Sequence, residues 1–222
     1  MSPSPRPRRP RPGRPKDPAK RQAILEAAKR LFPEHGYEGV SMESIALAAA
    51  VSKLTLYSHF RDKDALFAAA VKAVCEEQLP PEVFSLGPEA GNIGQILHTI
   101  AERFLGLVSR KESVQVYRML AAQAPGNSKL AELFFDAGPR RALDEFETLL
   151  RQADRAGALS VPDPARSAGH FFCLLKGLWH MRRLIGCGDS PESAPDADHL
   201  DSVVDLFLRA HAPESTPRQS SQ

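Results

Sequence analysis

The sequence predicts an all-α protein. Three observations carry that prediction. Apolar residues recur at helical spacing along most of the chain, strand-like alternation appears in no segment, and Asp-Pro or Pro-Pro steps mark several boundaries. With 222 residues and 42% hydrophobic content, the chain has enough material for a real core in one large domain or two small ones.

Taken in order, residues 1–16 are Pro/Arg-rich and are expected to be a disordered basic arm. Asp17-Pro18 then starts a helix, with Asp as N-cap and Pro in the first position. Ile24, Ala27, Ala28, Leu31 and Phe32 form its apolar face; Pro33 loosens its last turn and Gly36 ends it. Ser41 caps a second, short helix, and Ser52 caps a third over about Lys53–Phe60. Asp62 caps a fourth helix running to about Leu79, and Pro80-Pro81 stops it. A loop over 80–91 marks the expected domain boundary, which gives domains at 17–79 and 80–212. Further helices are expected at about 92–109, 111–123, 128–156, 164–186 and 198–211, with a break or kink near Gly138-Pro139. The tail from 213 to 222 is expected to be disordered.

The stretch from Ser41 to Leu66 organises this layout. In the third helix Leu56 and Phe60 are four apart and face inward, while Lys53 and Tyr57, also four apart, face out. Leu54 and Ser58 widen the outward face, and Thr55 and His59 lie along its edge. A short helix with that face, braced by a second, suits a helix-turn-helix reader of the DNA major groove.

The run VSKLTLYSHFRDKDAL, preceded by ILEAAKRLFPEHGYEGVSMESIA, resembles the DNA-binding signature of the TetR family of bacterial transcriptional regulators. The resemblance covers about Lys20 to Leu79 without a gap. It implies a three-helix DNA-binding domain followed by a larger helical domain for effector binding and dimerisation. LAELFFDAGPRRALDEF, an ADRAGAL turn and a Phe-rich helix resemble the second domain of one TetR subgroup. Two positions depart from the family pattern. Ala50 stands where many members have Gly in the turn, and Leu54 where Gly or another small residue is common. Ala50 therefore calls either for a turn without positive φ or for mild strain. Leu54 offers an apolar contact to a thymine methyl.

Charge points the same way. Residues 1–16 hold six basic groups and no acid, 17–79 hold eight basic and nine acidic, and the whole chain is only +2. A basic end on a near-neutral body fits contact with a polyanion. Gly13-Arg14-Pro15 resembles the core of an AT-hook, so Arg14 is a candidate minor-groove contact. On the reader, Tyr57, His59, Lys63 and Ser41 are phosphate candidates. Lys53, Leu54 and Ser58 are base-edge candidates, and Ser52 and Thr55 complete the expected DNA-binding face.

In the second domain Phe104, Tyr117, Phe134, Phe172 and Trp179 are candidates to line a ligand cavity, with His98, Arg118 and His180 as polar contacts. Aromatic residues at helical spacing are also ordinary core material. Gly169, Cys173 and Gly177 form a small-residue stripe, and Val203 and Phe207 lie on the equally apolar last helix. A dimeric four-helix interface would use both helices, as a reader of palindromic DNA requires.

Other chemistry finds little purchase. The seven histidines are scattered, with no nucleophile–base pattern, no metal-ligand spacing and no Gly-rich phosphate loop, so neither catalysis nor a cofactor or metal is expected. Cys75, Cys173 and Cys187 are odd in number and are expected to be buried free thiols. No apolar run suits a membrane span, so a cytoplasmic protein is expected. The leading expectation is a dimeric repressor that a small, largely apolar ligand releases from a palindromic operator. An architectural DNA binder and an activator of the same fold are the alternatives.

Overall fold

The computed structural model describes residues 17–87, 93–123, 128–187 and 197–213. Within them the chain forms ten α-helices: α1 Pro18–Gly39, α2 Met42–Ala48, α3 Lys53–His59, α4 Lys63–Gln78, α5 Ile93–Ser109, α6 Lys111–Gln123, α7 Ser128–Ala137, α8 Pro139–Arg155, α9 Pro164–Leu184 and α10 Ala197–Ala210. A 3-10 turn over Pro81–Phe84, absent from the sequence reading, sits inside the loop after α4.

The helix starts are set by side chains that satisfy otherwise unpaired amides. Asp17 accepts from the Ala19 amide at 3.0 Å, Ser52 from Thr55 at 3.1 Å, Asp62 from Ala65 at 2.8 Å and Asp163 from Arg166 at 3.1 Å. Ser41 and Ser44 exchange two such bonds in a reciprocal box at the start of α2. Regular helix geometry in α1 breaks at Gly36 (φ 73°), and Tyr37 and Val40 then turn back into the core. The expected 128–156 helix is two helices: α7 ends at Ala137 and α8 begins on Pro139, whose missing N–H is harmless in a first turn. A Cβ on Gly138 would lie 2.6 Å from Cys75 Sγ, so glycine lets this corner pack onto α4.

Two hydrophobic clusters hold the fold. The first joins α1–α4 through Ile24, Phe32, Ile45, Leu56 and Phe67, and takes in Leu120 from α6 and Leu130 from α7. The second surrounds Phe146, which packs against Phe84, Phe171, Phe172 and Phe207 with ring centroids between 4.8 and 6.5 Å apart. Val203 and Phe207 belong to this cluster and are 6% and 2% exposed. They therefore have almost no surface left for a partner subunit, which corrects their assignment to a dimer interface. The thiol expectation is corrected as well. All three cysteines are free, but Cys75 is half-buried and Cys173 and Cys187 are exposed. No described helix is long and apolar enough to cross a membrane.

Candidate functional site

The turn before α3 is tight. Val51 N–H donates back to Ala46 O at 3.0 Å, and Ala50 takes φ 51°, the left-handed conformation that favours glycine. That turn sets α3 across α2, with Leu56 and Phe60 buried beneath. The outer face carries Lys53, Leu54, Tyr57 and Ser58, all exposed, with Thr55 and His59 half-buried at its edge. Leu54 is 83% exposed, which is unusual for a leucine and leaves it free to meet a ligand surface.

The hydroxyls on this face are occupied locally. Ser41 and Ser52 cap their helices, Ser52 and Thr55 bond each other at 2.8 Å, and Ser58 donates to Thr55 O at 2.6 Å. Lys53 pairs with Glu43 across the two helices and lies 6.0 Å from the Tyr57 ring centre. The Glu43 carboxylate raises the Lys53 pKa above its usual value, and Lys53 in turn lowers that of Glu43. Lys63 is less available. It donates to Tyr37 O at 3.0 Å and sits 4.2 Å over the Tyr37 ring. Arg14 falls outside the described residues.

Beneath the reader lies a cavity of about 590 Å³. Phe104, Tyr117, Phe134 and Phe172 line it, as expected from the aromatic pattern. His98 does not. It pairs with Asp201 at 3.0 Å between α5 and α10. Arg118 also points elsewhere, donating to Leu184 O at 2.9 Å and Arg183 O at 2.6 Å near the end of α9. Trp179 and His180 stand behind the wall, with the His180 ring 5.5 Å from that of Tyr117. Sequence reasoning missed the opposite wall: Phe32 from α1, and Phe67, Val71, Val74 and Cys75 from α4. Val71, Val74 and Cys75 follow one another at helical spacing, a second apolar face of α4 that could have shown it. Gly169 and Cys173 also line the cavity.

Tyr117 is pushed up to about 12 by burial, and Cys75 to about 11, so both stay protonated at neutral pH. Burial, with Lys176 and Arg183 adding to it, pulls His180 down to about 4 and keeps it uncharged. Among the described residues, no group of three or more His, Cys, Asp or Glu could hold a metal ion.

Gly177 breaks α9 with φ 50° and ψ −165°, a conformation almost confined to glycine. On either side of it Leu174, Leu178, Met181 and Ile185 are exposed at a four-three-four spacing, and Leu206 is exposed on α10. These apolar side chains have no cover from the described chain.

The sequence of this unit matches a family model. Residues 24–70 match the bacterial regulatory proteins of the tetR family, and residues 95–213, over half of the chain, match the AefR-like transcriptional repressor C-terminal domain. The chain belongs to the TetR family. As a TetR-family protein it is a DNA-binding transcriptional regulator built from a helix-turn-helix domain and a helical second domain. It is 30% identical over 157 residues to the HTH-type transcriptional regulator RutR of Escherichia coli K12, covering 66% of this chain and 67% of that one. A TetR transcriptional regulator from Agrobacterium tumefaciens is similar in structure, with TM-score 0.71, 27% identity and coverage of 88% and 95%. The Flavonoid-responsive Regulator FrrA is similar too, with TM-score 0.68, 28% identity and coverage of 90% and 100%.

Proposed function

We propose that this TetR-family regulator is a cytoplasmic, homodimeric repressor, and that a small, largely apolar molecule releases it from a palindromic operator. The observation that carries the reading is the double wall of the cavity. Phe32 and Phe67 come from the DNA-binding unit, and Phe104 and Phe172 come from the second domain. A molecule lodged between them touches both units, so its differential fit can shift the reader's position. The volume suits a small ligand. FrrA is by name a flavonoid-responsive regulator, which supports a small-molecule effector for this chain as well.

On DNA, Tyr57 and His59 reach phosphates beside the groove, with Ser41 and Lys63 at its margin. Lys53, Leu54 and Ser58 face base edges, and Ser52 and Thr55 hold the start of α3 against the groove. The arm, with Arg14 in its Gly-Arg-Pro unit, enters the flanking minor groove. Two copies meet through α9 by its exposed apolar residues Leu174, Leu178, Met181 and Ile185, while Gly169 and Cys173, expected at that interface, face the cavity.

The test is selection of bound genomic fragments by the full-length protein at two salt concentrations. An inverted repeat whose half-sites lie about one helical turn apart, or a multiple of it, is the expected result. Fragments with no shared sequence would replace the repressor reading with a non-specific DNA binder.

A further inference from the structure

The cavity has a chemical bias beyond its aromatic walls. Phe104 and Phe172 pack 4.6 Å apart on one side, and Phe134 stands edge-on to Tyr117 at 5.3 Å. Such walls suit a flat ring. Where α6 meets α9, two polar groups lack partners. The hydroxyl of half-buried Tyr117 makes no hydrogen bond among the described residues, and behind the wall Nδ1 of the buried His180 has no partner. Tyr117 lines the cavity, so its free hydroxyl can meet a ligand oxygen at this end.

The charges also have a sign. Lys29 is held by Glu26 and Glu77, and Arg110 by Glu112. The lining carries five cations, Lys29, Arg30, Arg110, Lys111 and Lys176, against four carboxylates, Glu26, Glu34, Glu77 and Glu112, and Arg30, Lys111 and Lys176 have no ion pair among the described residues. Lys176 lies 5.9 Å from the Phe104 ring centre and also acts on His180, so its charge stands near the unmatched polar end.

We propose that the cavity binds an aromatic weak acid, a phenol or an aryl carboxylic acid, with its ring among Phe104, Phe134 and Phe172 and its oxygen on the Tyr117 hydroxyl facing Lys176. The proposal rests on the reading of the cavity as the effector site. Tyr117 stays a neutral donor, and Lys176 favours the ligand once it has lost its proton. A cationic ring meets the same potential with the wrong sign and is rejected.

The test uses four probes on one ring system: 2-methylnaphthalene, 2-naphthol, 2-naphthoate and 2-naphthylmethylammonium. Each is measured by equilibrium dialysis against the full-length protein at neutral pH. We expect 2-methylnaphthalene to bind, 2-naphthol and 2-naphthoate to bind about ten-fold more tightly, and the cation to bind about ten-fold more weakly than 2-methylnaphthalene. Tyr117→Phe should bring 2-naphthol down to the level of 2-methylnaphthalene and leave the hydrocarbon unchanged, which also shows that the cavity is intact. Lys176→Gln should weaken 2-naphthoate about three-fold or more and hardly affect 2-naphthol. Equal affinity for the hydrocarbon and the naphthol, or a cation bound as tightly as the acid, overturns the acidic-ligand inference and leaves the effector reading standing. Failure of all four probes to bind removes the effector reading and this inference together.

Discussion

Lys129, in the first turn of α7, donates to the Asp64 carboxylate in the first turn of α4 at 2.5 Å. The same carboxylate accepts from the Tyr37 hydroxyl at the end of α1. One side chain thus ties the DNA-binding unit to the second domain. Tyr37 is fixed a second time, its amide donating to Met119 Sδ of α6 at 3.0 Å.

Lys129, and then Tyr37, hold Asp64 below the usual carboxylate range. A carboxylate depressed in the folded state stabilises it above the unfolded pKa, and that contribution is lost as pH falls through the folded value. Asp64→Asn should therefore lower stability at neutral pH, and the deficit should vanish on acidification. Lys129→Met, which removes only the exposed half of the arrangement, should cost less than Asp64→Asn. Urea unfolding from pH 7 to pH 3 measures both. A deficit that grows with acid would show that the carboxylate is not the active form.

Ala50 sits at φ 51° with its Cβ in the left-handed region. Ala50→Gly should raise stability by about 0.5–1 kcal/mol, because relief of the steric cost exceeds the added flexibility of the unfolded chain. Thermal unfolding checks it; a loss of stability would mean the turn tolerates alanine without strain.

Lys53 is paired with Glu43 across α2 and α3. Glu43→Gln should tighten DNA binding, most strongly at low salt, by freeing the lysine and removing a negative charge. Lys53→Ala should relax preference at one or two base pairs, at about 1–3 kcal/mol against the best site. Tyr57→Phe should weaken all sequences about equally. Binding-site selection with each variant separates these outcomes, and an unchanged motif for Lys53→Ala would remove that residue from base contact.

His180 is pulled from an ordinary value of 6.5 to about 4. Protons therefore bind the unfolded chain first, and stability should decline as pH drops from about 6.5 toward 4. His180→Phe keeps a ring without the titration and should flatten that slope. Parallel pH profiles of the two proteins in urea would place the acid sensitivity elsewhere.

Leu178 is 81% exposed in the middle of the α9 stripe. Leu178→Glu should give a folded monomer in sedimentation, with operator binding lost alongside. Gly177 is a poor position for the same test, since its φ of 50° makes any side chain there strain the backbone as well as the contact. A Leu178→Glu dimer would move the interface off this face.

Helix starts were readable because caps are local. Asp17, Ser41, Ser52, Asp62 and Asp163 each bond an amide within three residues, so sequence proximity carries the signal. The outward face of α3 was readable for the same reason. The spatial partners of apolar residues were not. Periodicity marks Val203 and Phe207 as buried but does not say against what, and the chain's own Phe146 and Phe171 cover Phe207. Arg118 could serve a ligand or a helix end, and only the proximity of the α9 carbonyls decides between them. The cavity was half legible. Its aromatic wall lies in the second domain, where a ligand site was sought, and its other wall belongs to helices already assigned to DNA.

The first hydrophobic cluster crosses the expected boundary at residue 80, since Leu120 and Leu130 fill seats among Phe32, Phe67 and their neighbours. The reader is therefore not a module that can be cut out and regrafted. A chimaera joined just after α4 would inherit a socket shaped for two leucines, and its new sensor domain would have to supply side chains of the same bulk at the same depth. The side chains of α6 and α7 thus answer to the DNA-binding half as well as to their own domain.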